Sequence, residues 1–181
     1  MPGRLRAMTP DAFAAAVTQE EERPDRIILS TRHGFVPHPL SPIRHLLGDN
    51  HLRAVIDPGT GSVRYEIHQS TFDWGALRSY VSAYLPAPGG ERRAELLESR
   101  PGERFCPNED DWGQCALTQH IVFAIGEEEL RAIAAGYHQD EPSPWRYRIE
   151  EAAGRHWHGA LSPAEAAGLL MAAERRLRAG A

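Results

Sequence analysis

Apolar and polar residues alternate most clearly along two stretches of this chain, and each reads as a β-hairpin. From Leu52 to Gln69, two alternating runs flank Asp57-Pro58-Gly59-Thr60-Gly61, a turn-forming cluster. Ala54 and Ile56 share one face with Val63, Tyr65 and Ile67 of the return strand, while Arg64, Glu66 and His68 share the other. That alternation predicts a sheet with one buried and one polar face. The second hairpin pairs Trp145 to Glu150 with Arg155 to Leu161 around Ala152-Ala153-Gly154. Between the hairpins, the run Ala116 to Ile125 predicts a central strand with Leu117, Ile121, Phe123 and Ile125 inward and Thr118, His120 and Val122 opposite.

Helical signals surround these strands. Thr9-Pro10-Asp11 supplies an N-cap, a proline at the first helical position and an acid in the first turn, predicting a helix over 10–21 that docks through Phe13 and Val17. A short strand over Arg26 to Ser30 leads into a proline-rich loop over 31–42, and Ser41-Pro42 could open one short helix that stops at Gly48. After the central strand, three acids at Glu127 to Glu129 and a stop at Gly136 predict a middle helix, completing a strand-helix unit over 115–136. Ser162-Pro163-Ala164-Glu165 forms a capping box that opens a closing helix over 163–178, with Ala166, Leu169, Leu170, Ala173 and Leu177 as its buried stripe. Trp74 to Leu85 fits either period; a continuing meander favours strand, with Pro86 to Gly90 as its turn, and Glu91 to Glu98 carries a weaker strand signal. The expected architecture is a single α+β domain over 1–181: a mostly antiparallel sheet of hairpins packed by N-terminal, middle and C-terminal helices.

Composition narrows the chemistry. At 181 residues and 41% hydrophobic, the chain is long enough for one core. Its net charge of −5 argues against a nucleic-acid partner. All twenty basic residues are arginine. Without lysine, Walker-type phosphate loops, Schiff-base enzymes and protein-kinase sites are excluded, whereas bidentate contacts to carboxylates or phosphates are favoured. The N-terminal apolar run, Ala12 to Val17, is flanked by acids, and no stretch approaches a membrane span, so the expectation is a cytoplasmic protein without a membrane partner. Cys106 and Cys115 are near enough to staple a loop but too few for a disulfide framework.

The most specific candidate pattern is His156-Trp157-His158, because residues two apart on a strand project from one face. Arg146, Arg148 and Glu150 of the preceding strand would lie beside that pair, and His120 and His68 could join from other strands. Two functions fit such a face. Arg146 and Arg148 could clamp a small anionic ligand or an acidic protein partner. Alternatively, His156 and His158 with a third ligand from His120, His68 or Glu150 could hold zinc or another divalent ion, giving a metal-dependent hydrolase or lyase. The bland reading is an ordinary solvated sheet face with cross-strand charge pairs. Because no nucleophile, base and orienting group assemble from sequence, binding is expected over catalysis.

Other residues carry weaker signals. Arg32-His33-Gly34, directly after the strand Arg26 to Ser30, resembles the histidine phosphatases over Ile27 to Val36. The resemblance implies His33 as a nucleophile and a parallel α/β sheet, whereas the hairpins that follow imply an antiparallel one. His38, His45 and His51 fall in the proline-rich stretch, where they could line a pocket, although wet loop residues are the favoured reading. Cys115 with His120 could form a thiol–base pair, although a buried thiol or a disulfide to Cys106 is favoured. Asn108 to Asp111 resembles a calcium loop only until Trp112, where an oxygen ligand is required, and reads as a solvated turn. Finally, exposed aromatics at Trp74, Tyr80 and Trp112 could be covered by a partner or a second copy, giving a homo-oligomer.

Overall fold

A computed structural model describes residues 8–32, 50–74, 78–106, 115–140 and 143–180. Among these, three helices and ten strands form an α+β fold with two antiparallel sheets. The first sheet contains β1 (Thr18–Arg23), β2 (Arg26–Ser30), β3 (Asn50–Ile56), β4 (Val63–Trp74), β8 (Ala116–Ile125) and β7 (Leu96–Phe105), in that order. The second contains β10 (His156–Leu161), β9 (Trp145–Glu151), β5 (Tyr80–Ala87) and β6 (Gly90–Ala94). The helices are α1 (Pro10–Ala16), α2 (Glu127–Ala135) and α3 (Pro163–Gly180).

Both hairpins and the central strand form where alternation places them. The inward residues of β3, β4 and β8, among them Leu52, Ala54, Ile56, Tyr65, Ile67, Ile121, Phe123 and Ile125, are buried in one cluster with Tyr147, Ile149 and Leu161 of the second sheet and Leu169 and Leu170 of α3. The two sheets therefore share a core, with α3 packed alongside. Polar contacts help hold them in place: the Tyr147 hydroxyl donates to Gln69 Oε1 at 2.5 Å and accepts from Asn50 Nδ2 at 2.9 Å. Gly159, opposite Tyr147 in the β9–β10 register, leaves room for that phenol, since a Cβ there would overlap the ring.

The first helix is shorter than its sequence suggests. Thr9 caps it and Pro10 opens it as expected, but Val17 is extended and Thr18–Arg23 pairs with β2. Glutamates are good helix formers, yet Glu21 bonds Arg26 across the hairpin and Glu20 bonds Arg53 of β3 at 2.5 Å, so strand pairing overrides propensity. A backbone approach fixes α1 on α3: a Cβ on Gly168 would lie 2.8 Å from the Ala14 backbone nitrogen. The ambiguous stretch after Trp74 resolves as strand in β5, and the weak signal over 91–98 belongs to β6 and β7. The short helix expected near Ser41 lies outside the described residues, as do His33, His38, His45, Trp112 and the Asn108 to Asp111 turn.

Cys106 and Cys115 form a disulfide. The β7–β8 ladder ends with Phe105 opposite Ala116, so the cysteines occupy the next rung. No thiol remains on Cys115 for the nucleophile–base pairing with His120. Closing a loop with cysteines nine residues apart contributes about 2–3 kcal/mol on the chain-entropy model. Reduction, or Cys115→Ser, is expected to lower the denaturant midpoint accordingly while the wild-type protein under oxidising conditions keeps the higher value. Among the described residues, no helix is long and apolar enough to cross a membrane.

Candidate functional site

The sheet face singled out by His156-Trp157-His158 is present, but its Arg148 is already paired. In the β9–β10 register His156 lies opposite Glu150, His158 opposite Arg148 and Ala160 opposite Arg146. Trp157 turns inward and meets Phe72 edge-on, sending both imidazoles to the exposed side, as the alternation requires. Arg148 bonds Glu91 of β6 at 2.6 Å, approaches Glu150 at 3.9 Å and contacts His156 Nδ1 at 3.1 Å. Its guanidinium also sits 4.2 Å over the Tyr84 ring. The hydrogen bonds from Arg148 hold the Glu91 carboxyl below its ordinary pKa. The arginine expected to clamp a ligand is therefore engaged by an acid of its own sheet, and a guanidinium beside His156 opposes a cation there. Arg146 remains exposed on the same face.

His120 does not join this pair. β8 lies between β4 and β7 of the six-stranded sheet, whereas β10 is at the edge of the four-stranded one. The proposed trio His120, His156 and His158 is thus divided between sheets, because two-residue periodicity assigns a face within a strand and leaves strand order open. Among the described residues, no group of three or more His, Cys, Asp or Glu side chains is arranged to hold a metal ion.

His120 instead belongs to a cluster on the face of the six-stranded sheet opposite the core. On β3, His51 lies across from His68 of β4, and their rings stack with centroids 4.9 Å apart. His68 Nδ1 is 3.1 Å from His120 Nε2, and His68 Nε2 is 2.9 Å from Glu66 Oε2. Arg64 bonds the other Glu66 oxygen at 2.7 Å. His51, Glu66 and His68 are only 7%, 6% and 3% exposed, so this is a buried polar network and the sequence reading of His51 as a wet loop residue is corrected. The strand begins at Asn50, two residues before the apolar pattern announces it.

Electrostatics make the cluster unusual. Burial first, then the charges of His68, Arg53, Arg32 and His120, lower the His51 pKa to about 2. Burial, His68 and Arg100 lead the causes that lower His120 to about 4. Burial would raise Glu66, but the hydrogen bonds and charges of His68 and Arg64 win and hold it below its ordinary value. At neutral pH, His51 and His120 are neutral rings near an ionised carboxylate, among arginines of which Arg53, Arg64 and Arg100 are paired with Glu20, Glu66 and Glu98.

Two polar atoms of β3 stand out. Among the described residues, His51 Nε2 and Arg53 Nε are buried and have no hydrogen-bond partner. They sit two residues apart on one face, directly opposite His68 and Glu66 of β4. Orphaned buried groups cost about 1–3 kcal/mol each, and native proteins carry few of them. Of the residues named from sequence, the structure joins His156, Arg148 and Glu150 on one sheet and His120 with His68 on the other. Sequence analysis did not single out Arg53 and placed His51 in the proline-rich stretch; the signal that joins them is an imidazole and a guanidinium two apart at the start of an alternating run.

The remaining readings also resolve in part. Every strand pairing among the described residues is antiparallel, which does not agree with the parallel sheet implied by the Arg32-His33-Gly34 resemblance. Tyr80 is buried, so it is not an exposed aromatic, whereas Trp74 is 58% exposed. No protein-family model, curated protein or solved structure matches this chain.

Proposed function

We propose that the protein binds a small anionic ligand at the His/Arg face of β3, β4 and β8. The observation that carries this reading is the pair of buried, unpartnered groups at Arg53 Nε and His51 Nε2. A guanidinium N–H can only donate, so an acceptor oxygen is the partner Arg53 requires. In its Nε2–H tautomer, neutral His51 supplies a second donor beside it. Arg32 and Arg100 help depress these histidines and favour an anion, with Arg100 offset in part by Glu98, which bonds it. Glu20 engages a terminal nitrogen of Arg53 much as Glu91 engages Arg148, but the β9–β10 face is the lesser candidate because, among the described residues, it holds no buried unpartnered donor.

Thermal shift and calorimetry with propyl phosphate, inorganic phosphate and propionate test the reading. At least one of these anions is expected to raise the Tm of the wild-type protein, and Arg53→Met or His51→Phe to abolish the shift. Arg148→Met is expected to leave it unchanged. Stabilisation that survives both β3 substitutions and disappears in Arg148→Met would return the site to the four-stranded sheet, and the absence of binding by all three anions would reject anion binding altogether.

A further inference from the structure

Resting on that reading, we infer that the anion the site selects also carries a hydroxyl group, received by Nδ1 of His120. The inference follows from the direction of the hydrogen-bond chain Glu66–His68–His120. Glu66 is bound through one oxygen by Arg64 and through the other by His68, an arrangement suited to a carboxylate that only accepts. His68 must then carry its proton on Nε2. Where His68 is the neutral imidazole, its one N–H is spent on Glu66 and its Nδ1 is an acceptor. The atom facing it is His120 Nε2, at 3.1 Å, which must therefore be the donor. In neutral His120 the remaining nitrogen, Nδ1, is left as a lone pair. One carboxylate thus sets the tautomers of two rings in succession, and the free end of the chain can receive a proton but cannot offer one.

That end has an opening the rest of the chain lacks. His120 is half-buried whereas Glu66 and His68 are buried, and its Nδ1 has no hydrogen-bond partner among the described residues. The donors at Arg53 and His51 lie on β3, two strands from β8 with β4 between them. Neighbouring strands are spaced about 4.8 Å apart, so the donor and acceptor ends of the site are separated by roughly 10 Å or less, depending on how the side chains lean. Donors at one end and an obligate acceptor at the other describe an organic anion of a few carbon atoms with a hydroxyl away from its charged group. An anion with acceptor oxygens alone satisfies Arg53 and His51 but leaves His120 Nδ1 unbonded.

The test compares glycerol 1-phosphate with propyl phosphate, and glycerate with propionate, by calorimetry at pH 8, above the ordinary range of histidine titration. Each pair has one anionic head and one chain length, differing in hydroxyl groups. Wild-type protein is expected to bind the hydroxylated member of at least one pair roughly tenfold more tightly, the effect of one hydrogen bond. His120→Phe, which keeps a ring but removes the acceptor, is expected to bind both members within about threefold of the weaker wild-type value. Glu66→Gln should narrow the ratio as well, because an amide both donates and accepts and no longer sets the His68 tautomer. Equal binding of both members by wild-type protein overturns the hydroxyl inference and leaves anion binding standing. Full discrimination retained by His120→Phe overturns the assignment to His120. No binding of any of the four compounds rejects the anion site itself and this inference with it.

Discussion

Acidification from pH 7 to pH 4.5 is expected to destabilise the protein progressively, with the loss led by His51 and His120. Both fold with depressed pKa values, about 2 and about 4, against an ordinary value of 6.5. Between the ordinary and the folded value, the unfolded chain binds the proton and the folded chain does not, so stability falls as pH falls. The effect is absent above about pH 6.5, grows through pH 5 and saturates for His120 near pH 4, while His51 continues to contribute below it. Each unit of pH costs about 1.4 kcal/mol per fully shielded histidine. Discounting for water that reaches half-buried His120, the two together remove about 3–5 kcal/mol by pH 4.5, a large part of the ~5–15 kcal/mol that ordinary domains possess. Glu66, depressed in the fold, adds to the loss below the ordinary carboxylate range. Asp73 acts in the opposite sense, since burial raises its pKa and its protonation in the fold is favoured as pH falls.

His51→Phe separates this mechanism from general acid denaturation. Phenylalanine keeps a ring stacked on His68 and removes both the titrating group and the unpartnered nitrogen. At pH 7 the variant is expected to be equal in stability or about 1 kcal/mol more stable, because an orphaned polar atom is removed. Its stability should then fall less steeply between pH 6.5 and pH 4.5, shifting the acid midpoint downward. Urea titrations followed by circular dichroism at several pH values measure this directly. Parallel curves for the two proteins would show that His51 titrates normally and that its burial carries no electrostatic cost.

The same substitution is predicted to abolish anion binding, which sets stability against function at one position. A chain selected for stability alone gains by replacing His51; a chain that binds an oxyanion there keeps it. The binding measurement and the pH titration are independent, so one protein variant tests two consequences of a single buried atom.

Much of the fold was legible because its strands alternate cleanly. Tyr65, Ile67, Ile121 and Phe123 were assignable to the core from period alone, and the capping signals at Thr9 and Ser162 marked where α1 and α3 begin. The end of α1 was not legible, because Gln19 to Glu22 favour helix locally and adopt strand only through their pairing with β2. The site was half legible. His68 and His120 were placed correctly on the polar sides of their strands, but β4 and β8 are neighbours only after three intervening strands have gone elsewhere, β5 and β6 into another sheet and β7 to the far side of β8. Nothing in local sequence states that order. His156 and His158 drew attention because their spacing is visible in a tripeptide, whereas the Glu66–His68–His120 chain exists only across a ladder.

Phe123→Ala is expected to produce the largest loss among single substitutions considered for this protein, about 3–5 kcal/mol. Phe123 is fully buried at the centre of β8, where Ile67 of β4 and Leu96 of β7 flank it. Its ring meets Tyr147 of the second sheet edge-on, with centroids 5.3 Å apart. Truncation removes the aromatic contact, opens a void between the sheets and loosens the phenol whose hydroxyl bonds Gln69 and Asn50. Relaxation is limited because Tyr147 also packs against the space over Gly159 and cannot swing freely into the void. For a chain of this length the Tm should fall by roughly 6–20 °C. Phe123→Leu retains most of the volume and should cost about 1 kcal/mol. Since Phe123 faces the core and His120 the opposite side, the leucine variant is expected to preserve anion binding; loss of binding with so small a change in stability would show that the ligand sits between the sheets, on the Tyr147 side of β8.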